Sequence, residues 1–190
     1  MSLRNAWPTS GGSATQSASR YPWPFPAGAI STPLTPNPEQ DFESVKAQLG
    51  REPRGQWKVA RRCACGKPQV LETYPRLDDG TPFPTLYWLS CRKLSSAIGG
   101  LESGGWMAGL NRRLVEDPQF HDALRRSTER YVAKRNGLDV LGPTAHPGGG
   151  PDRVKCLHAH TGHHLVEGDN PVGAEVLREL GWHDPTRPCV

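Results

Sequence analysis

At 190 residues, the chain is long enough for one domain with a real core plus a tail. A hydrophobic content of 35% with 19 prolines and 21 glycines predicts many turns and long connections. No apolar run reaches the roughly 18–20 residues that a bilayer span requires, and a net charge of +4 permits contact with nucleic acid or anionic surfaces without requiring it.

The N-terminus lacks the apolar core of a signal peptide, so the chain reads as cytoplasmic. In a reducing compartment clustered cysteines bind metal more often than they pair as disulfides. Residues 1–38 are rich in Ser, Thr, Gly and Pro and include Tyr21-Pro-Trp-Pro-Phe-Pro26. Proline fixes φ and removes a donor, so a disordered or extended tail is expected there, followed by a single domain over 39–190.

Phe42, Val45 and Leu49 stand at helical spacing, and Asp41 or Asn37 can cap a short helix that ends at Gly50. A basic stretch follows: Arg51, Arg54, Lys58, Arg61 and Arg62. It reads either as a phosphate or nucleic-acid contact or as a solvated basic loop and strand edge. Residues 57–60 and 69–73 read as strands, joined by the turn Cys63-Ala-Cys65-Gly66-Lys67-Pro68. Residues 85–90 read as a buried strand that delivers Cys91 at its end.

Helices are expected over 95–101 and 106–114, broken at Gly104-Gly105. Asp117-Pro118 starts another that runs to about Arg135, with Phe120, Leu124 and Tyr131 toward the core. The loop His146-Pro-Gly-Gly-Gly-Pro151 precedes a further helix, and free amides at such a start can bind an anion. That helix is expected from an Asp152 cap to Gly168. Val154, Leu157, Thr161 and Leu165 then share one stripe, and Cys156, His160 and His163 the opposite one. His158 falls on the apolar stripe, so it joins Cys156 only if the helix is distorted near its start. A last short helix is expected over 174–180, and Cys189 reads as a free tail thiol.

Several segments together resemble an actinobacterial family known only as domain-of-unknown-function family 501. They are Leu49-Gly-Arg-Glu-Pro-Arg-Gly55, Arg62-Cys-Ala-Cys-Gly-Lys-Pro68, Pro75-Arg-Leu77, Gly80-Thr-Pro-Phe-Pro-Thr-Leu-Tyr87, Cys91 and Asp152-Arg-Val-Lys-Cys-Leu-His158. The resemblance covers about residues 41–182. It implies a gene neighbourhood with a septum-formation initiator and an exopolyphosphatase, hence a link to cell division and its machinery, but no activity. Arg92 stands where the family has proline, and His160 and His164 where it is apolar or small, while His158 and His163 match.

Four thiols in this region, Cys63, Cys65, Cys91 and Cys156, equal the ligand count of a closed tetrahedral zinc site. His163 or His158 can replace one of them. Three protein ligands alone would leave a position at which water is activated, an iron–sulfur cluster also takes four thiolates, and buried reduced cysteines without metal are the remaining reading. The fold expected is α+β: a small antiparallel sheet over 57–90, then several covering helices, with a cysteine/histidine metal site joining the sheet to the C-terminal helix. Three functions follow. One is a zinc-stabilised protein with Arg51, Arg54, Arg61, Arg62, Arg153 and Lys155 toward an anionic ligand or nucleic acid. Another is a metal-dependent enzyme using the helix from Asp152 to His163. The third is an interaction factor linked to cell division.

Overall fold

The computed structural model describes residues 38–142 and 146–182, all within one compact unit, Thr32–Val190. The expected tail over 1–38, except Pro38, and the Cys189 thiol lie outside the described residues. Among those residues the fold is α+β, with one three-stranded antiparallel sheet and six helices. None of the described helices is long and apolar enough to cross a membrane.

The sheet order is β1 (Trp57–Arg62), β2 (Pro68–Thr73), β3 (Tyr87–Leu89). β2 is central and buried along its whole length. Side chains alternate across the pleat, so Val59, Leu71 and Trp88, which are cross-strand partners, share one face. Helix α1 (Pro38–Leu49) covers that face through Val45, which packs with Trp57 and Leu71. Asp41 does not cap α1. Its carboxylate takes two hydrogen bonds from the Arg62 guanidinium, at 2.7 and 2.6 Å, and ties α1 to β1.

The other face, with Val70 and Leu89, belongs to the main core, which α2 (Arg92–Ser103), α3 (Trp106–Glu116), α4 (Pro118–Asn136), α5 (Leu157–Glu167) and α6 (Pro171–Glu179) complete. The helix starts follow local chemistry. Asp117 accepts the Phe120 N–H at 3.0 Å with Pro118 at the first helical position, and Asn170 with Pro171 repeats the arrangement on Gly173 N–H at 3.0 Å. Gly105, at φ 78°, separates α3 from α2.

Helix α5 starts later than the sequence suggests. Asp152–Cys156 is not helical, and Val154 instead pairs with Gly149 in a short antiparallel bridge. Asn111 on α3 holds both backbone groups of Val154, accepting its N–H at 2.8 Å and donating to its carbonyl at 3.0 Å. The side chain of Val154 is buried, and that satisfied clamp competes successfully with a further helical turn.

Helix α5 packs so tightly that neither its own Gly162 nor Gly173 of α6 has room for a side chain. A Cβ on Gly162 would stand 2.9 Å from the Tyr87 carbonyl oxygen, and one on Gly173 would stand 2.4 Å from the His160 carbonyl oxygen. Between α5 and α6 lies a buried polar knot. Asn170 Oδ1 accepts from Gly173 N–H, so its Nδ2 carries the two protons that reach His160 Nδ1 at 3.0 Å and His163 Nδ1 at 3.1 Å. Both rings are therefore neutral with the proton on Nε2. His160 Nε2 donates to the Gly148 carbonyl at 3.0 Å, and His146 Nδ1 accepts from Gly148 N–H at 3.0 Å. The rings of His146 and His160 stack at 4.5 Å.

Two outcomes follow. Gly173→Ala is expected to lose about 1–3 kcal/mol by overpacking, read as a lower urea midpoint at unchanged slope. Acid is expected to unfold the domain through the histidines. Burial lowers His146 well below its usual value and lowers His160 and His163 from 6.5 to about 4. A depressed pKa in the folded state means the unfolded chain binds more protons, so stability present above pH 6.5 is lost as pH falls toward 4. For His160 alone the loss is roughly 3 kcal/mol. A stability profile flat between pH 7 and 4.5 would refute the account.

Candidate metal centre

The late start of α5 puts Cys156 at its N-cap in an extended conformation, φ −150° and ψ 114°. In that conformation the side chain is free of the helical stripe, and Cys156 meets His158 and Glu102. Ligand atoms of these three residues lie within 4.8 Å of one another. Among the described residues no other set of three histidine, cysteine or acidic groups is that close. The centre thus lies between α2, which carries Glu102, and the start of α5.

Each residue is held by a separate contact to backbone, Cys156 through its own amide and Glu102 and His158 through their side chains. Cys156 N–H and Lys155 N–H both donate to the Gly148 carbonyl, at 3.1 and 2.7 Å. Glu102 Oε1 accepts the Leu157 N–H at 2.6 Å, so a carboxylate from α2 caps the positive end of α5. His158 Nε2 lies 3.0 Å from the Ser95 carbonyl. A carbonyl only accepts, so Nε2 carries a proton, and Nδ1 is left facing Glu102 Oε1 at 3.3 Å. The His158 and Glu102 side chains are 32% and 24% exposed, which leaves the group open to solvent.

Three electron-pair donors therefore face one another: an imidazole nitrogen, a carboxylate oxygen and a sulfur. Either a proton or a cation must sit between them. The protonated form is favoured far above the ordinary histidine range. The hydrogen bond to Cys156, then the Glu102 carboxylate, raise His158 to about 9 against the opposing effect of burial.

Of the six expected ligands, Cys156 and His158 are in this group, and Cys63, Cys65, Cys91 and His163 are outside it. Cys63 opens the β1–β2 turn, accepting from Gly66 N–H and donating to the Lys67 carbonyl through its backbone. Cys65 is half-buried in that turn. Cys91 is buried in the main core at the N-cap of α2. His163 is in the knot, with Nε2 3.1 Å from Asp169 Oδ1. Asp152 is exposed and pairs with His121 at 3.1 Å.

The basic residues are distributed rather than gathered. Arg62 is paired with Asp41 and Lys58 with Glu72. Arg51 lies over the Trp88 ring at 4.9 Å, and Arg54 is exposed. Arg61 donates to Gln69 Oε1 and to the Leu165 carbonyl. Arg153 and Lys155 are exposed on the extended segment that leads to Cys156. In the loop 146–151, Gly148 N–H and Gly149 N–H both bond to His146, so those amides turn inward rather than toward an anion.

Glu102 carried no sequence signal, being one glutamate near the end of an amphipathic helix. Asn170 did carry one: Asn-Pro ahead of an apolar helical run is a helix-start pattern.

The family described as Protein of unknown function (DUF501) matches residues 59–178, and the chain belongs to it. No curated protein and no solved structure matches the chain. The matched span contains Glu102, Cys156 and His158 together with the helices that hold them.

His158 reports on the centre directly. In protein stripped of metal, its ring titration by NMR is expected near pH 9. Cys156→Ala should move it down toward the ordinary value by more than Glu102→Gln does, because the Cys156 hydrogen bond is the larger cause. The raised value also means that its contribution to stability is present below pH 6.5 and lost as pH rises through about 9. A midpoint unmoved by Cys156→Ala would show that the sulfur does not face the ring.

Proposed function

We propose that this protein binds one zinc ion through Cys156 Sγ, His158 Nδ1 and a Glu102 carboxylate oxygen, and that the ion keeps a coordination position open to solvent. The observation that carries the reading is the orientation of His158. Its Nε2 is fixed on the Ser95 carbonyl, which turns Nδ1 toward the Glu102 carboxylate and the Cys156 sulfur, where an ion would take the place of the Nδ1 proton. Metal-binding histidines commonly have their second nitrogen held in this way, which sets both tautomer and ring direction. Cysteine sulfur, imidazole nitrogen and carboxylate oxygen are all zinc ligands, and the pairing of thiolate with imidazole disfavours magnesium and calcium.

Three protein ligands with partial exposure fit the reactive kind of zinc site better than the closed, structural kind. Such an ion polarises a bound water or the oxygen of a substrate. The protein's own part is to hold the three ligands. Gly148 fixes Cys156, the Leu157 amide fixes Glu102, and Ser95 fixes His158. This reading favours a metal-dependent enzyme over a zinc-stabilised scaffold, and it leaves Cys63, Cys65 and Cys91 out of the ligand set.

The test is metal content and cobalt substitution in protein made without an affinity metal column. One zinc per chain is expected, replaceable by cobalt with a sulfur-to-cobalt absorption band. Cys156→Ser should abolish the band, and Glu102→Gln or His158→Gln should weaken uptake by about 10–100-fold or more. Cys63→Ser and Cys91→Ser should leave uptake intact. Loss of metal only in the Cys63 or Cys91 variants would overturn this ligand set in favour of the thiol cluster. Iron with visible absorption in the isolated protein would overturn zinc.

A further inference from the structure

At the opposite end of α5 is a cavity of about 480 Å³, within the range of small-molecule sites. Its walls include Arg61 and Cys63 from β1 and the turn after it, His164 from α5, Leu177 and Arg178 from α6, and Trp182. The family match spans all of these but Trp182.

The charges around this cavity do not balance. The Arg178 guanidinium is paired with Glu175. Glu167, also on the wall, is taken by Lys134 at 2.5 Å and by the Tyr87 hydroxyl. Arg61 is different. It donates from Nε to Gln69 Oε1 at 3.1 Å and from Nη1 to the Leu165 carbonyl at 2.8 Å, and both acceptors are neutral. The C-terminal end of α5 supplies a negative partial charge of about half a unit, which leaves much of the guanidinium charge unanswered. Those two hydrogen bonds also hold its plane in place.

His164, half-buried, is also in the wall, with its Nδ1 atom turned away from solvent. Burial lowers its pKa, with a smaller push from the Arg61 charge, against the opposing hydrogen bond to the Asn170 backbone and the Asp169 charge, so the imidazole adds no positive charge of its own to the wall. Trp182, Leu177 and Leu165 supply an apolar wall for the rest of a ligand.

We infer that this cavity is a binding site for a small organic anion, with a carboxylate or phosphate group on Arg61 and a flat apolar body against Trp182 and Leu177. The inference does not depend on the metal centre at the other end of α5.

Isothermal titration of the full chain with 1-naphthoate, 1-naphthyl phosphate and the neutral 1-naphthamide tests it. At least one anion should bind at one site per chain, and the amide should bind about tenfold more weakly or worse, as loss of a charge-assisted contact implies. The better of the two anions distinguishes a carboxylate from a phosphate ligand. Arg61→Gln should abolish the preference for charge. Ala174→Phe, which fills the cavity from α6, should block all three probes. Circular dichroism and melting establish that each variant is folded. Should Arg61→Gln not fold, loss of naphthoate affinity with added salt in the unaltered protein reads the same charge. Equal binding of anion and amide, salt-independent binding, binding retained in folded Ala174→Phe, or no binding of either anion would each overturn the inference.

Discussion

The amide of Asn170 is the contact on which most of this structure depends. Its oxygen caps α6 on Gly173 N–H, and its two protons go to His160 and His163 on α5. Because the oxygen is committed to a backbone N–H, the direction of the amide is fixed, and with it the tautomer of both rings. His160 can then donate from Nε2 to the Gly148 carbonyl. That same carbonyl receives Lys155 N–H and Cys156 N–H. A chain of buried hydrogen bonds thus runs from the start of α6 through α5 to the backbone of Cys156. Buried polar groups are costly when unpaired and strongly orienting when paired. Here they position a loop that is otherwise rich in glycine.

The centre itself depends on a failure of helix propagation. Were residues 152–156 helical, Cys156 would stand on the face opposite His158. Clamped by Asn111, Val154 stays extended, and Cys156 leaves the helical register. Glu102 then replaces a missing intrahelical acceptor by taking the Leu157 N–H. The same carboxylate thus closes the positive end of α5 and completes a set of donors. Capping alone accounts for Glu102, but not for the approach of His158 Nδ1 and Cys156 to it.

Much of the fold was legible from the sequence, because the strands and helices follow apolar periodicity and short capping motifs. Asp117-Pro118, Gly104-Gly105 and the turn at Gly66 each mark a boundary with a local mechanism. The site was legible only in part. Cys156 and His158 stood out as reactive side chains close in sequence, but grouping cysteines by ligand count alone ignored where strand ends point. Cys91 is buried in the main core as the N-cap of α2, and Cys63 faces the cavity between β1 and α6. The basic residues show the same limit. Arg62 is used to fasten α1, which no count of positive charge reveals. Glu102 and Asn111 act across tertiary contacts of 55 and 43 residues in sequence, where local pattern carries no information.

The two ends of α5 are answered by opposite charges from other elements. At its start the positive end meets the Glu102 carboxylate, and the proposed cation would draw on the Cys156 sulfur as a further ligand. At its end the exposed carbonyls meet Arg61, whose charge exceeds what a helix end supplies. The proposed cation site at the positive end of the helix and the proposed anion site at the negative end would both run against the dipole. Each therefore requires a fixed side chain of opposite sign from another element, and α2 and β1 provide one each. Gly162 and Gly173 keep α5 pressed against β3 and α6, so those side chains meet the helix at fixed positions. Rigid placement of this kind is what a site needs if its charges are to act on a ligand rather than relax around one another.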